Sequence, residues 1–172
     1  MINIVLYAPE IPSNTGNIMR TCMASGIHLI LIRPLGFMLS DKYLKRSGMD
    51  YVKDLDYEIF DDFEDFEKAH PGNYFLVSRY GKKTYSDINY KPLDNIYLIF
   101  GNESSGLSDE IIEKYKQQAM RIPMKPKARS LNLANSVAIV AFEVLRQKSF
   151  ESLSKLEVLK GADFIDSKWK NN

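Results

Sequence analysis

Short, almost wholly apolar runs recur along this chain, and segments with helical spacing lie between them. That alternation restricts the fold more than any other feature. INIVLY at Ile2–Tyr7, HLILIR at 28–33, NYFLVS at 73–78 and NIYLIF at 95–100 have the length and β-rich content of strands. They are apolar throughout rather than at every second position, as strands buried on both faces are. Pro9 and Pro12 end the first, Pro34 closes the second and Gly101 follows the fourth. Weaker strands are expected at 57–60 and 119–122. Helices are expected at 16–25, capped by Ser13 or Asn14 and stopped at Gly26, and at 41–46 and 62–69. Two more are expected at 109–115, behind a Ser108 cap, and at 131–148. In the last, Leu133, Val137, Val140, Ala141 and Val144 recur at helical spacing and should form the buried face. Strands alternating with helices predict an α/β domain, a mostly parallel sheet flanked by helices. Its expected extent is 1–149. Residues 150–172 read as a tail, with a short amphipathic helix marked by Leu153, Leu156 and Leu159.

Composition narrows the function. The 172 residues are 45% hydrophobic, enough for a core and against a disordered chain. Lys and Arg number 23 against 22 Asp and Glu, so no global basic excess marks a nucleic-acid binder, although a local basic patch is compatible with that balance. Cys22 is the single cysteine, which excludes an internal disulfide framework and fits a cytosolic setting. It falls inside a helical pattern and reads as a packed small hydrophobe. With two histidines, His28 and His70, a His-rich metal site and a Ser/His/Asp set are not indicated. No run approaches the ~18 apolar residues of a membrane span. MINIVLYAPEIP lacks a basic leader region and reads as a first strand, not a signal peptide.

Ligands of parallel sheets bind in loops beyond the carboxyl ends of the strands, and three such loops carry unusual residues. The first, Asn14-Thr15-Gly16-Asn17-Ile18-Met19-Arg20, joins a strand to a helix. It offers backbone N–H groups and an arginine to an anion, or it is a capped turn with a surface arginine. The second, Gly101-Asn102-Glu103-Ser104-Ser105-Gly106-Leu107, is neither a dinucleotide fingerprint nor a P-loop. Glu103 disfavours phosphate and suits a ligand with hydroxyl or ammonium donors; the plain alternative is a turn ahead of Ser108. The third begins at Ile122-Pro123-Met124, where apolar side chains and backbone amides could sandwich an aromatic base. It continues through Lys125, Lys127 and Arg129 to Ser130, Leu131, Asn132 and Asn135. From Lys114 to Arg129 there are six basic residues and no acidic one, a phosphate-binding stripe or a solvated loop. An acidic cluster from Asp50 to Glu67 offsets it in the net charge.

Together, NTGNIMRT, IFGNESSGL and RIPM…RSLNLANSVAI, in that order, resemble the SPOUT class of S-adenosylmethionine-dependent RNA methyltransferases. Within it the chain is similar to the small tRNA wobble-nucleotide 2'-O-methyltransferases (the TrmL type), over about residues 1–149. The opening NIVLY-x-PEIP-x-NTGNI-x-R is especially close. The resemblance implies a C-terminal deep trefoil knot, a homodimer and S-adenosyl-L-methionine bound bent among the knot loops. Val77, Gly101, Glu103, Ile122, Ser130, Leu131 and Asn135 would surround that cofactor. Asn14, Arg20 and Asn132 match positions tied to catalysis or substrate positioning. Lys125, Lys127 and Arg129 would draw tRNA phosphates. Two departures stand out: Asn102 replaces a usual proline, which predicts a looser second loop, and Phe142 replaces a frequent tyrosine. Val137, Val140, Phe142 and Val144 spread around the last helix, which suits burial on two sides and hence the homodimer.

The implied reaction moves a methyl group to a ribose 2'-hydroxyl of the wobble nucleotide, cytidine or uridine, without a metal. Arginine is a poor base, so Arg20 is expected to position the hydroxyl or the adjacent phosphate. The other readings are methylation at another RNA site, a non-catalytic RNA-binding module of the same fold, and an α/β enzyme that binds a small anionic metabolite at 14–20. A cytoplasmic protein acting on tRNA is the expectation.

Overall fold

The computed structural model describes residues 1–39 and 55–169, so the helix expected at 41–46 lies outside the described residues. Seven strands form one sheet: β1 (Ile2–Tyr7), β2 (His28–Ile32), β3 (Tyr57–Phe60), β4 (Asn73–Val77), β5 (Lys83–Thr84), β6 (Ile96–Phe100) and β7 (Ala119–Arg121). The order is β3-β2-β1-β6-β4-β7-β5 and every pairing is parallel. β5 had no sequence signal, because two residues, Lys and Thr, carry neither alternation nor an apolar run.

Both faces of the sheet are buried, as its continuous apolar strands require. Ile4, Leu6, Leu29, Leu31, Ile96, Leu98 and Phe100 face one core with α1 (Pro12–Ser25) and α4 (Leu133–Gln147). Val5, Ile30, Ile32, Leu76, Tyr97 and Ile99 face a second core with α2 (Phe63–Ala69) and α3 (Asp109–Tyr115). The period-2 alternation is present in the structure but invisible in the sequence, since both sets are apolar. The expected buried face of α4 is correct at Val137, Val140, Ala141 and Val144, and Leu145 joins it. Asp62 and Ser108 cap α2 and α3 through hydrogen bonds from Asp65 N and Ile111 N.

Two helix expectations need correcting. α1 begins at Pro12, four residues before the expected start at 16, and neither Ser13 nor Asn14 caps it. Pro12 occupies the first helical position, where its preset φ and missing N–H cost nothing. In the tail, Leu153, Leu156 and Leu159 form turns and bends, and the helix there is α5 (Phe164–Trp169). Ser149, Phe150 and Ser152 all adopt left-handed backbone, which stops α4 and prevents a helix from starting at once. Phe150 and Leu153 still pack on the first core, whereas Leu156 and Leu159 are 69% and 95% exposed.

The end of α4 is latched by the segment before β6. Gln147 Nε2 donates to Ile88 O at 2.9 Å, and Gln147 Oε1 accepts from Tyr90 N at 2.9 Å. Lys148 Nζ donates to Lys91 O and Leu93 O at 2.9 and 2.7 Å. Tyr90 itself is fully buried, and burial raises its phenol well above the ordinary tyrosine range.

Candidate active site

In register, Tyr7 lies opposite Ile32, and Leu6 and Val77 lie opposite Phe100, so the central strands end level. The loops after β1, β4, β6 and β7 therefore converge at one edge of the sheet. Between them is a cavity of about 480 Å³. Val77, Ile122, Met124, Leu131 and Leu133 give it apolar walls. Gly101, Asn102, Glu103 and Ser104–Ser105 form one rim, and Ser130, Asn132 and Ser136 form another.

One directed hydrogen-bond chain ties three of these segments together. Glu103 Oε2 accepts from Glu10 N at 2.9 Å, and its Oε1 accepts from Ile11 N at 3.2 Å and Asn14 Nδ2 at 2.9 Å. Asn14 Oδ1 in turn accepts from Asn132 Nδ2 at 2.9 Å. Asn132 Oδ1 accepts from the amides of Ala134 and Asn135, at 2.9 and 3.3 Å, and so caps α4. A carboxylate only accepts and helix amides only donate, so the two ends fix the orientation of both carboxamides between them. Asn14 serves this chain from inside the first turn of α1, which is why it does not cap its own helix. Glu103 meets the amides just ahead of that helix instead. A carboxylate takes about four hydrogen bonds; the described residues use three, which leaves one acceptor position on Oε2 of Glu103.

The second loop is closed by its own atoms. Asn102 Oδ1 accepts from Ser105 N, Ser105 Oγ and Gly106 N at 2.7, 2.9 and 3.0 Å. Asn102 also pairs with Gly106 through both backbone hydrogen bonds. The looser loop expected from losing a proline is therefore not seen: a side-chain acceptor replaces the ring's constraint. A Cβ on Gly101 would sit 2.1 Å from Gly106 C and 2.4 Å from Leu107 N. Gly101 is thus required by the loop's own crossing, before any ligand is considered.

Of the residues singled out in the sequence, Asn14, Val77, Gly101, Glu103, Ile122, Ser130, Leu131 and Asn132 line the cavity. Arg20 and Asn135 do not. Arg20 falls on the exposed stripe of α1 with Ser13, Asn17 and Ala24, and Asn135 on that of α4 with Ile139, Phe142 and Arg146. Asn132 is the cap of α4, and Asn135 lies one turn inside it. Lys125, Lys127 and Arg129 are exposed on the third loop. The basic stripe is interrupted, since Lys114 pairs with Glu67 at 2.8 Å and Lys116 pairs with Glu113. Ser78, Arg79, Tyr80 and Ser136 also line the cavity. The 78–81 loop lacks a motif of its own, and only its position after a strand could have marked it.

The remaining reactive groups are elsewhere. Cys22 is buried in the first core, and burial pushes its thiol up to about 12. His28 starts β2, at the opposite end of the sheet, between Asp56 and Glu58 at 2.9 and 3.1 Å. His70 also meets Glu58, at 3.2 Å. Among the described residues no group of His, Cys, Asp or Glu could hold a metal ion, and no helix is long and apolar enough to cross a membrane.

The family match supplies the class, an RNA methylase. Residues 1–142 match the SpoU rRNA Methylase family, and the chain belongs to it. Within that family it is 43% identical, over 87% of its length and 96% of the relative's, to a tRNA (cytidine(34)-2'-O)-methyltransferase of Yersinia pestis. A solved structure described as giving insight into 2-OH methylation of C/U34 on tRNA is 42% identical. It superposes with a TM-score of 0.80 over 87% of this chain and 97% of its own. An AdoMet-bound rRNA methyltransferase of Sinorhizobium meliloti is 30% identical, with a TM-score of 0.74 over 84% of this chain and 56% of its own.

Proposed function

We propose that this chain transfers a methyl group from S-adenosyl-L-methionine to the ribose 2'-hydroxyl of the wobble nucleotide of tRNA, cytidine or uridine 34, the position named for its relatives. The observation that carries this reading is the convergence of three separate sequence segments on one cavity through the Glu103–Asn14–Asn132 chain.

The cavity suits the cofactor. At about 480 Å³ it is within the range of small-molecule sites, with apolar walls for a flat base and polar groups at the rims. Val77, Ile122 and Leu131 would hold the adenine, and Ser130 and the free acceptor of Glu103 would meet hydroxyl or amino donors. The sulfonium group supplies an electrophilic methyl when bound, so the protein's task is alignment rather than activation. Asn14 and Asn132 hold the rims at a fixed spacing. Lys125, Lys127 and Arg129, exposed beside the cavity, attract RNA phosphates. Residues 1–149 form the methyltransferase domain, and 150–172 are an appended tail. Gln147 and Lys148, latched beneath 88–93, support the knotted path that the family implies.

The active form is a homodimer in the cytoplasm. α1 and α4 pack in one layer, and Arg20, Ile139 and Phe142 lie on its outer side. Ile139 and Phe142 are 37% and 46% exposed, an apolar pair suited to a second copy. Arg20 then acts across the dimer, positioning the hydroxyl or its phosphate. The test is mass-spectrometric mapping of ribose methylation in tRNA incubated with enzyme and cofactor. Methylation at position 34 is expected, and Arg20→Ala should lower kcat at saturating tRNA while cofactor affinity holds. Absence of methyl transfer to any tRNA, or transfer only elsewhere, overturns the assignment.

A further inference from the structure

A second recess adjoins the cavity, and its makeup exceeds what the cofactor needs. It is lined by Arg79, Tyr80, Arg121, Met124, Lys125, Pro126 and Ala128, three cations and no acid among the described residues. Arg79, Tyr80 and Met124 border both spaces. Among the described residues nothing accepts from the buried Nε of Arg121, a donor the fold leaves unsatisfied. Tyr80 is 78% exposed, with the Arg79 guanidinium 5.3 Å from its ring centroid and the rest of the ring open.

The turn that presents this ring is tied down on several sides. Ser78 N donates to Met120 O at 2.9 Å, Gly81 N to Ser78 O at 3.1 Å, and Tyr80 N to Ser78 Oγ at 3.3 Å. A Cβ on Gly81 would lie 2.4 Å from Met120 C, so the turn is pressed against the backbone of β7. A fixed turn holding a large ring in water gains nothing for the fold. It does suit a partner that brings a flat face.

We propose that this recess is a subsite for one RNA nucleotide next to the methylated one, its base stacked on Tyr80 and its phosphate held by Arg79, Arg121 and Lys125. The proposal rests on the RNA methyltransferase reading. The alternative anion is the cofactor's carboxylate. That group belongs to an amino acid whose ammonium cancels its charge, and it offers no face to a tyrosine. Three cations beside an aromatic ring match a nucleotide, which supplies both a full negative charge and a base.

The experiment measures tRNA affinity at saturating S-adenosylhomocysteine, so that cofactor occupancy is constant. Tyr80→Ala should weaken binding about tenfold, within the range for loss of one stacked base, and Tyr80→Phe should not. Arg79→Gln and Lys125→Gln should each flatten the salt dependence by about 0.7 in log–log slope, as for one single-strand phosphate. tRNA made abasic at each anticodon-loop position in turn should show one flanking position whose loss weakens wild type about tenfold and leaves Tyr80→Ala unaffected. If no abasic position is coupled to Tyr80, or the salt slopes stay at the wild-type value, the subsite is refuted. If the variants lose only S-adenosylhomocysteine affinity by calorimetry, the recess belongs to the cofactor's carboxylate instead. Each of these failures leaves wild-type methylation of position 34 intact, whereas failure of the functional reading removes it.

Discussion

Replacing Asn14 by aspartate reverses one link of the Glu103–Asn14–Asn132 chain while changing the side chain's shape by a single atom. In the native chain Asn14 Nδ2 donates to Glu103 Oε1 at 2.9 Å, and Asn14 is 6% exposed. Asn14→Asp puts an acceptor in that place. Two carboxylates at about 3 Å repel by about 5 kcal/mol at an effective dielectric of about 20. Solvent at the open cavity screens part of this, leaving an expected deficit of about 2–4 kcal/mol above neutral pH. For a domain of this size that lowers Tm by about 5–15 °C. The sign with pH follows from linkage. Mutual repulsion raises the folded pKa of the carboxylate pair above its unfolded value, so stability returns as pH falls and one proton is shared. The deficit should therefore be large at pH 8 and small near pH 5. Adding Glu103→Gln should recover part of it, because a carboxamide can donate to the introduced aspartate and still accept from one of the amides of residues 10 and 11. Calorimetry of wild type, both single variants and the double variant at the two pH values measures all of this. A pH-independent deficit, or no deficit, would show that this hydrogen-bond chain does not hold the site together.

Gly101→Ala should fold but bind S-adenosylhomocysteine at least about tenfold more weakly in calorimetry, because a Cβ 2.1 Å from Gly106 C forces the second loop to shift. Stability should fall as pH rises from about 9: Cys22 and Tyr74 are pushed up to about 12, chiefly by burial, with Tyr90 and Tyr115 also raised. The unfolded chain loses those protons first, so urea midpoints at pH 8, 9.5 and 11 should decline in that order. Wild type should sediment as the proposed dimer at micromolar concentration, and Phe142→Asp, at a 46% exposed position outside the core, as a monomer with circular dichroism unchanged.

The sheet was legible because strands buried on both faces must be apolar at every position, and INIVLY, HLILI and IYLIF advertise that without help from neighbours. The parallel character followed from the alternation of strands and helices, but the strand order and the placement of β5 were not legible, since pairing is decided by long-range contact and two residues carry no pattern. At the site, residue types marked Glu103 and Asn132 as unusual, but their partners could not be read. Glu103 looked free to meet a ligand, yet three of its acceptor positions are taken by residues about ninety positions earlier in the chain. Asn132 caps its helix and donates to Asn14, and neither partner is announced by its position in the sequence. Tyr80 and Arg79 gave no signal, because one exposed tyrosine beside an arginine is ordinary in sequence and unusual only beside an acceptor-poor recess.

Arg20 and Asn135 make the most instructive contrast. Both belong to the motifs that carry the family resemblance, and neither lines the cavity; they lie on the exposed stripes of α1 and α4. If Arg20 acts in methyl transfer as proposed, it needs a surface other than this protomer's cavity to do so. The stripes they share with Ile139 and Phe142 are the surfaces proposed to meet a second copy. On that arrangement the cofactor cavity is built within one protomer, whereas Arg20, in the role proposed for it, works only across the contact. Phe142→Asp should consequently leave S-adenosylhomocysteine affinity near wild type while abolishing methyl transfer, and mixing it with Arg20→Ala should restore no activity unless the two variants still pair. A monomeric Phe142→Asp enzyme with wild-type kcat would break the link between the outer stripe and catalysis.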